Sequence, residues 1–231
     1  RNGVNACMDE LKNLNELNKG IHKQWVWGNK DSYYRSCDYL QKINYCIHDL
    51  NREFHNSSEK TMKELVFMIV LVDWICEACT ELPKILRKDI VDKGNYLERA
   101  EVVESLQFFK ALRSFVVAHP LGTNRHGKFG LDGDLICVDI MSETSMIAKQ
   151  LSRDSDWYHL DFEGLRKSTC NQKADYVLKV YSKKADRMRF FKYIGIELED
   201  LCHVAELQIS QLYDLDLYLS KLKKKDFEVK M

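Results

Sequence analysis

The chain has 231 residues, of which 45% are apolar and 30% charged, with 35 basic and 35 acidic side chains in balance. That length fits one domain, and the composition supplies a substantial core and excludes a disordered chain. Zero net charge counts against a protein that coats nucleic acid by bulk electrostatics, so any such contact has to be local.

Ten glycines and only two prolines, Pro83 and Pro120, leave few obligatory breaks, which favours long helices over a many-turned β fold. The eight cysteines are scattered over apolar positions instead of forming the dense framework of a small secreted domain. They read as reduced thiols of a cytoplasmic protein. The chain begins at Arg1, which leaves a preceding segment open. The longest apolar run, Leu65 to Val72, stops at Asp73 and is far too short to span a bilayer, so no membrane partner is expected.

In chain order, Val4, Cys7, Leu11, Leu14 and Leu17 recur at helical spacing, and Tyr33, Cys37, Leu40, Ile43, Ile47, Leu50 and Phe54 do so more strictly. Asn56 and Glu59 stand at capping-box spacing before a segment from Met62 to about Arg87. That segment is apolar nearly all round through Trp74, as in a buried bundle helix, and Pro83 kinks or ends it. A further helix is expected from about Tyr96 to Ala118 after the break at Gly94–Asn95. Leu135–Ile140 and Trp157–Phe162 are short, β-branched and aromatic, and read as a small two-stranded element. Two helices should close the chain, one through Ala174, Val177, Tyr181, Ala185, Met188 and Phe191 and one from Leu198 to Leu222. The expected fold is mostly α: a single helical domain over 1–231, a bundle of about five to six helices, with a β insertion at about 120–170.

One stretch stands apart. From Ser105 to Leu131 there is no Asp or Glu, while Lys110, Arg113, Arg125, Lys128, His119 and His126 all fall within it. Basic groups, imidazoles and glycine-freed amides at a helix end suit the holding of a phosphate and the movement of a proton. A solvated helix end followed by a structural loop explains the same residues. Arg113 and His119 lie about 120° apart around an ideal helix, but His119 precedes Pro120, where the backbone leaves the α conformation, so its side chain can swing toward Arg113. A guanidinium grips phosphate through two parallel hydrogen bonds, and an imidazole is a general acid or base near neutral pH. Together they suffice for metal-free attack of a ribose 2′-hydroxyl on its own phosphate, with no cofactor. Alternatively, Arg113 pairs with an acid and His119 caps the helix.

Other patterns carry less. Cys76–Glu–Ala–Cys79 has metal or redox spacing but sits in an apolar helix with no second pair of ligands downstream, as buried thiols would. Asp132–Gly–Asp134 lacks the remaining ligands of a calcium loop and reads as a turn, and Gly127–Lys–Phe–Gly130 lacks the spacing of a nucleotide-hydrolase phosphate loop. His48, His55, His159 and His203 are isolated in sequence and receive no role, and His22 with Trp25 and Trp27 reads as packing.

Leu112–Arg–Ser–Phe–Val–Val–Ala–His119, an Arg and a His separated by five residues at the end of a bundle helix, resembles the motif of the HEPN (higher eukaryotes and prokaryotes nucleotide-binding) superfamily. The resemblance covers about Ser58 to Pro120. It implies a metal-independent endoribonuclease or RNA-binding protein of toxin–antitoxin or phage-defence type, acting as a homodimer with a composite site, sometimes with an antitoxin partner. Arg113 would then hold the scissile phosphate and His119 transfer the proton. Ser114 departs from the Asn, Asp or His often found after the Arg, but retains a donor. Arg125, His126 and Lys128 would grip neighbouring phosphates, Ser114 would assist, and Asn124 would read a base or ribose. The alternative of another class is a non-catalytic interaction or scaffold protein, in which Arg113 forms an internal ion pair; a small-nucleotide binding domain is a third.

Overall fold

Five β-strands dominate the second half of the chain: β1 (Leu135–Ser142), β2 (Asp156–Asp161), β3 (Gly164–Lys167), β4 (Tyr176–Ser182) and β5 (Phe191–Ile196). The computed structural model describes residues 10–17, 19–55, 61–93, 99–118, 127–130, 135–142, 156–168, 174–182 and 191–227. The strands form one mixed sheet in the order β1-β4-β5-β2-β3. Only β2 and β5 run parallel; the other neighbours are antiparallel.

This sheet corrects the expectation of a mostly helical bundle with a small two-stranded insertion. Leu135–Ile140 and Trp157–Phe162 do lie in β1 and β2, but these strands pair with others and not with each other. The helix expected through Ala174–Phe191 is replaced by β4 and β5. The reason lies in Tyr176–Val–Leu–Lys–Val–Tyr181: in a central strand both faces are covered, the apolar run is nearly continuous, and periodicity no longer separates strand from helix. Its β-branched and aromatic content then decides for strand.

Among the described residues the α-helices are α1 (Lys30–His55), α2 (Met62–Glu81), α3 (Lys88–Lys93), α4 (Ala100–Arg113) and α5 (Leu198–Lys221). α1 follows the strict heptad-like pattern, burying Leu40, Ile43, Ile47 and Leu50. α2 ends where Pro83 opens a 3-10 turn, Leu82–Ile85. Its start is set by Thr61 and Glu64: the Glu64 carboxylate accepts the Thr61 N–H at 2.7 Å, the returning half of a capping box. Asn56 and Glu59 lie outside the described residues. Trp74 reaches solvent at 38% exposure, so α2 is not buried all round.

The described part of the expected first helix, 10–17, is not helical, although Leu11, Leu14 and Leu17 are buried as their spacing suggested. Two asparagines of α1 take its backbone donors instead: Asn51 Oδ1 accepts from Leu11 N–H at 2.8 Å and Asn44 Oδ1 from Leu14 N–H at 3.0 Å. Side chains that satisfy the main chain this way remove the need for a helix.

The chain divides into two compact units. The first comprises Glu53–Val70 and Glu104–Val204; it contains the sheet and most of α4. There Leu160, Leu178, Val180, Ile194, Phe109 and Phe115 are wholly buried, and the Phe108 ring meets those of Phe129 and Phe162 at 6.1 and 4.6 Å. The second comprises Asp9–Arg52, Leu71–Val103 and Ala205–Met231. In it, buried Asp216 accepts the N–H groups of Gly20 and Ile21 on one oxygen at 2.8 and 2.7 Å. Lys23 Nζ reaches the carbonyls of Leu219, Ser220 and Leu222, a cation on the negative end of α5. Trp27 is buried and donates its indole N–H to Ile21, which makes it a packing residue.

The described cysteines Cys37, Cys46, Cys76, Cys79, Cys137 and Cys202 are free thiols. Cys76 and Cys79 are buried, and burial holds the Cys79 thiol well above its ordinary range. No described helix is long and apolar enough to cross a membrane.

Candidate functional site

α4 carries a ridge of polar side chains at three-residue spacing, Gln107, Lys110 and Arg113, of which the first two are exposed and Arg113 is half-buried. Both cations stand in the last turn, where the helix dipole favours positive charge. The helix then widens into a π turn, Ser114–Ala118, a form concentrated at functional sites. Ser114 is 8% exposed and Phe115 and Val116 are buried, so the turn is anchored in the core of this unit, and β1 packs against it.

The acid-free segment returns to the same helix. Gly127–Phe129 forms a 3-10 turn, from which Lys128 Nζ approaches Gln107 Oε1 at 3.4 Å while Phe129 packs on Phe108. β3 backs this turn, and a β-carbon at Gly164 would stand 3.3 Å from the Lys128 carbonyl. Of the candidate site residues, the fold thus brings Lys128 to Gln107, six residues before Arg113 on the same helix, about 9 Å along the axis and about 120° around it. Ser114, the residue after Arg113, is buried. His119, Asn124, Arg125 and His126 lie outside the described residues, as does Asp132–Gly–Asp134.

A second cluster escaped the sequence reading. Alternation along β2 places Trp157, His159 and Asp161 on one face of the sheet. His159 is 4% exposed, and its Nε2 lies 3.5 Å from Glu197 Oε1 at the entry to α5. Its register partner on β5 is Gly195, where a β-carbon would come to 3.6 Å from His159 Nδ1 and 2.9 Å from the Ala174 methyl. Glycine at that point leaves the Ala174 methyl its room, while the imidazole stands at ordinary contact distance. Arg166, the partner of His159 on β3, binds the carboxylates of Asp161 and Glu163.

Asp200, in the first turn of α5, completes the group. Burial, with the nearby charges of Glu197, Asp161 and Glu199, raises its carboxyl from an ordinary 3.8 to about 7, against the opposing pull of Arg166. Asp200 is thus the carboxyl of this cluster that burial pushes up toward neutrality. The signal was present in Trp157–Asp161 and Glu197–Asp200, but the parallel pairing of β2 with β5 that unites them is a long-range event no local pattern encodes. Among the described residues no group of three or more His, Cys, Asp or Glu is disposed to hold a metal ion.

No family model matches the chain, and neither a curated protein nor a solved structure does.

Proposed function

We propose that this protein binds RNA along the C-terminal half of α4 and cleaves it without a metal. The observation that supports this reading is the contact of Lys128 with Gln107, which adds a third cation of the acid-free segment to the half of the helix that carries Lys110 and Arg113. Lys110 and Lys128 take flanking phosphates as point charges, and Arg113 takes the scissile phosphate through its fork of donors. His119 removes the proton of the ribose 2′-hydroxyl. The 2′-oxygen bonds to phosphorus, the bond to the 5′-oxygen breaks, and that oxygen leaves with a proton from water or from the second imidazole of a homodimer. The products are a 2′,3′-cyclic phosphate and a 5′-hydroxyl, and Arg113 stabilises the charge that builds on phosphorus oxygens between them.

Binding tests this before cleavage does. Three cationic contacts predict a slope of about −2 in log affinity against log salt for single-stranded RNA. Lys110→Gln with Lys128→Gln should cut the slope to about −0.7. An unchanged slope in the double variant refutes the α4 interface.

One observation favours a second reading, a non-catalytic interaction protein. In the second unit Tyr34, Tyr45 and Trp74 are exposed, with Lys42 Nζ 3.3 Å from the Trp74 ring centre. Aromatic groups of this kind suit protein contacts. Under that reading Arg113→Ala lowers the melting temperature and changes no RNA property.

A further inference from the structure

We propose that a concavity on the sheet of the first unit is a nucleotide subsite, with Tyr181 against the base, Asp139 on its N–H edge and Lys179 on its phosphate. The concavity is shallow and open to solvent, about 600 Å³ in volume, and is lined by Ile136, Val138, Asp139, Lys179 and Tyr181.

The strand register builds it. Ile136 pairs with Tyr181 and Asp139 with Lys179, while the register shifts between Cys137 and Asp139. Val138 is the extra residue of that bulge and stands 51% exposed. Bulges re-aim side chains, and this one sets an aliphatic group between the Ile136–Tyr181 pair and the charged Asp139–Lys179 pair. The Asp139 carboxylate is already oriented, because its Oδ1 accepts the Ile140 N–H at 2.9 Å. Lys179 is flanked on its other side by Tyr193, which stacks on Trp157 at 5.8 Å, and both rings are buried. The wall behind the lysine is therefore fixed.

The lining specifies its ligand. Apolar and aromatic surface takes a flat ring, as proteins do when they hold unstacked RNA bases. A carboxylate accepts and never donates when ionised, so it selects a ring that presents N–H groups. Guanine, with an imino and an amino donor side by side, satisfies it best; uracil offers one donor flanked by two acceptors. A cation directly opposite the carboxylate then suits the phosphate of the same nucleotide. This inference rests on the RNA reading for its biological ligand, but free mononucleotides test it independently.

The experiment is a calorimetric titration of the full chain with GMP, AMP, CMP and UMP, beside Asp139→Asn and Lys179→Gln. GMP should bind tightest, and Asp139→Asn should erase its preference over UMP by about tenfold. Lys179→Gln should weaken all four alike. Asp139 and Lys179 are not core residues, and matched melting curves exclude misfolding. Tyr181→Leu, which keeps an apolar side chain on β4, should weaken every base through lost stacking. Mononucleotide binding that is undetectable at millimolar concentration, or equal for all variants, overturns the subsite. If RNA still binds with the salt slope above, that result leaves the α4 reading standing. Guanine-selective binding without any RNA affinity supports the subsite and overturns the α4 reading.

Discussion

Replacing Asp200 by Asn should stabilise the protein at alkaline pH, which is unusual for the loss of a charge at a helix N-terminus. In the first turn of a helix a carboxylate is normally favoured by the dipole. Here burial and the charges of Glu197, Asp161 and Glu199 outweigh that benefit and lift the carboxyl from 3.8 to about 7. A rise of that size, at about 1.4 kcal/mol for each pH unit, sets an upper limit of about 4 kcal/mol. Asp200 is only half-buried, and water screens its neighbours, so about 2 kcal/mol is the working figure. The sign follows from linkage: the folded state holds the proton more tightly, so the stabilisation is complete below pH 3.8 and is lost as pH rises through about 7. Asn mimics the protonated carboxyl at every pH. Urea unfolding followed by far-ultraviolet circular dichroism should show the variant more stable by about 2 kcal/mol at pH 8 and by about 1 kcal/mol at pH 5. A difference independent of pH, or an Asn variant less stable at pH 8, refutes the electrostatic reasoning about this cluster.

Two further substitutions test the packing. Asp216→Ala strands the N–H groups of Gly20 and Ile21 in a buried site and should cost about 3 kcal/mol in urea unfolding, with Asp216→Asn recovering part of it through the retained oxygen. Gly195→Ala puts a methyl 2.9 Å from that of Ala174, so it should lower stability by about 1–3 kcal/mol, and Ala174→Gly in the same chain should restore much of the loss.

What the sequence disclosed, and what it withheld, follows from the range of the forces involved. α1 and α5 were legible because each buries one stripe, and that stripe repeats at helical spacing whatever lies opposite it. The end of α2 was legible because Pro83 acts locally. β1 and β2 were legible as strands from their β-branched and aromatic residues. β4 was not: a strand covered on both sides loses its alternation, and Val177, Tyr181 and Ala185 happen to fall four apart. β3 is four residues long, too short for any periodicity. The basic residues of α4 were visible as an acid-free run, whereas the contact of Lys128 with Gln107 joins residues 21 apart in the chain, which no local pattern encodes. His159 was passed over because Glu197 lies 38 residues later in the chain, and only the pairing of β2 with β5 brings the two together.

The decisive measurement is cleavage of a labelled single-stranded RNA in EDTA by the wild-type chain and by His119→Ala at matched melting temperature. The RNase reading predicts fragments that end in a 2′,3′-cyclic phosphate with the wild type and intact RNA with the variant. Equal cleavage by both proteins, or RNA left intact by a wild type that binds it with the predicted salt slope, contradicts the assignment of His119 and of the cleavage chemistry.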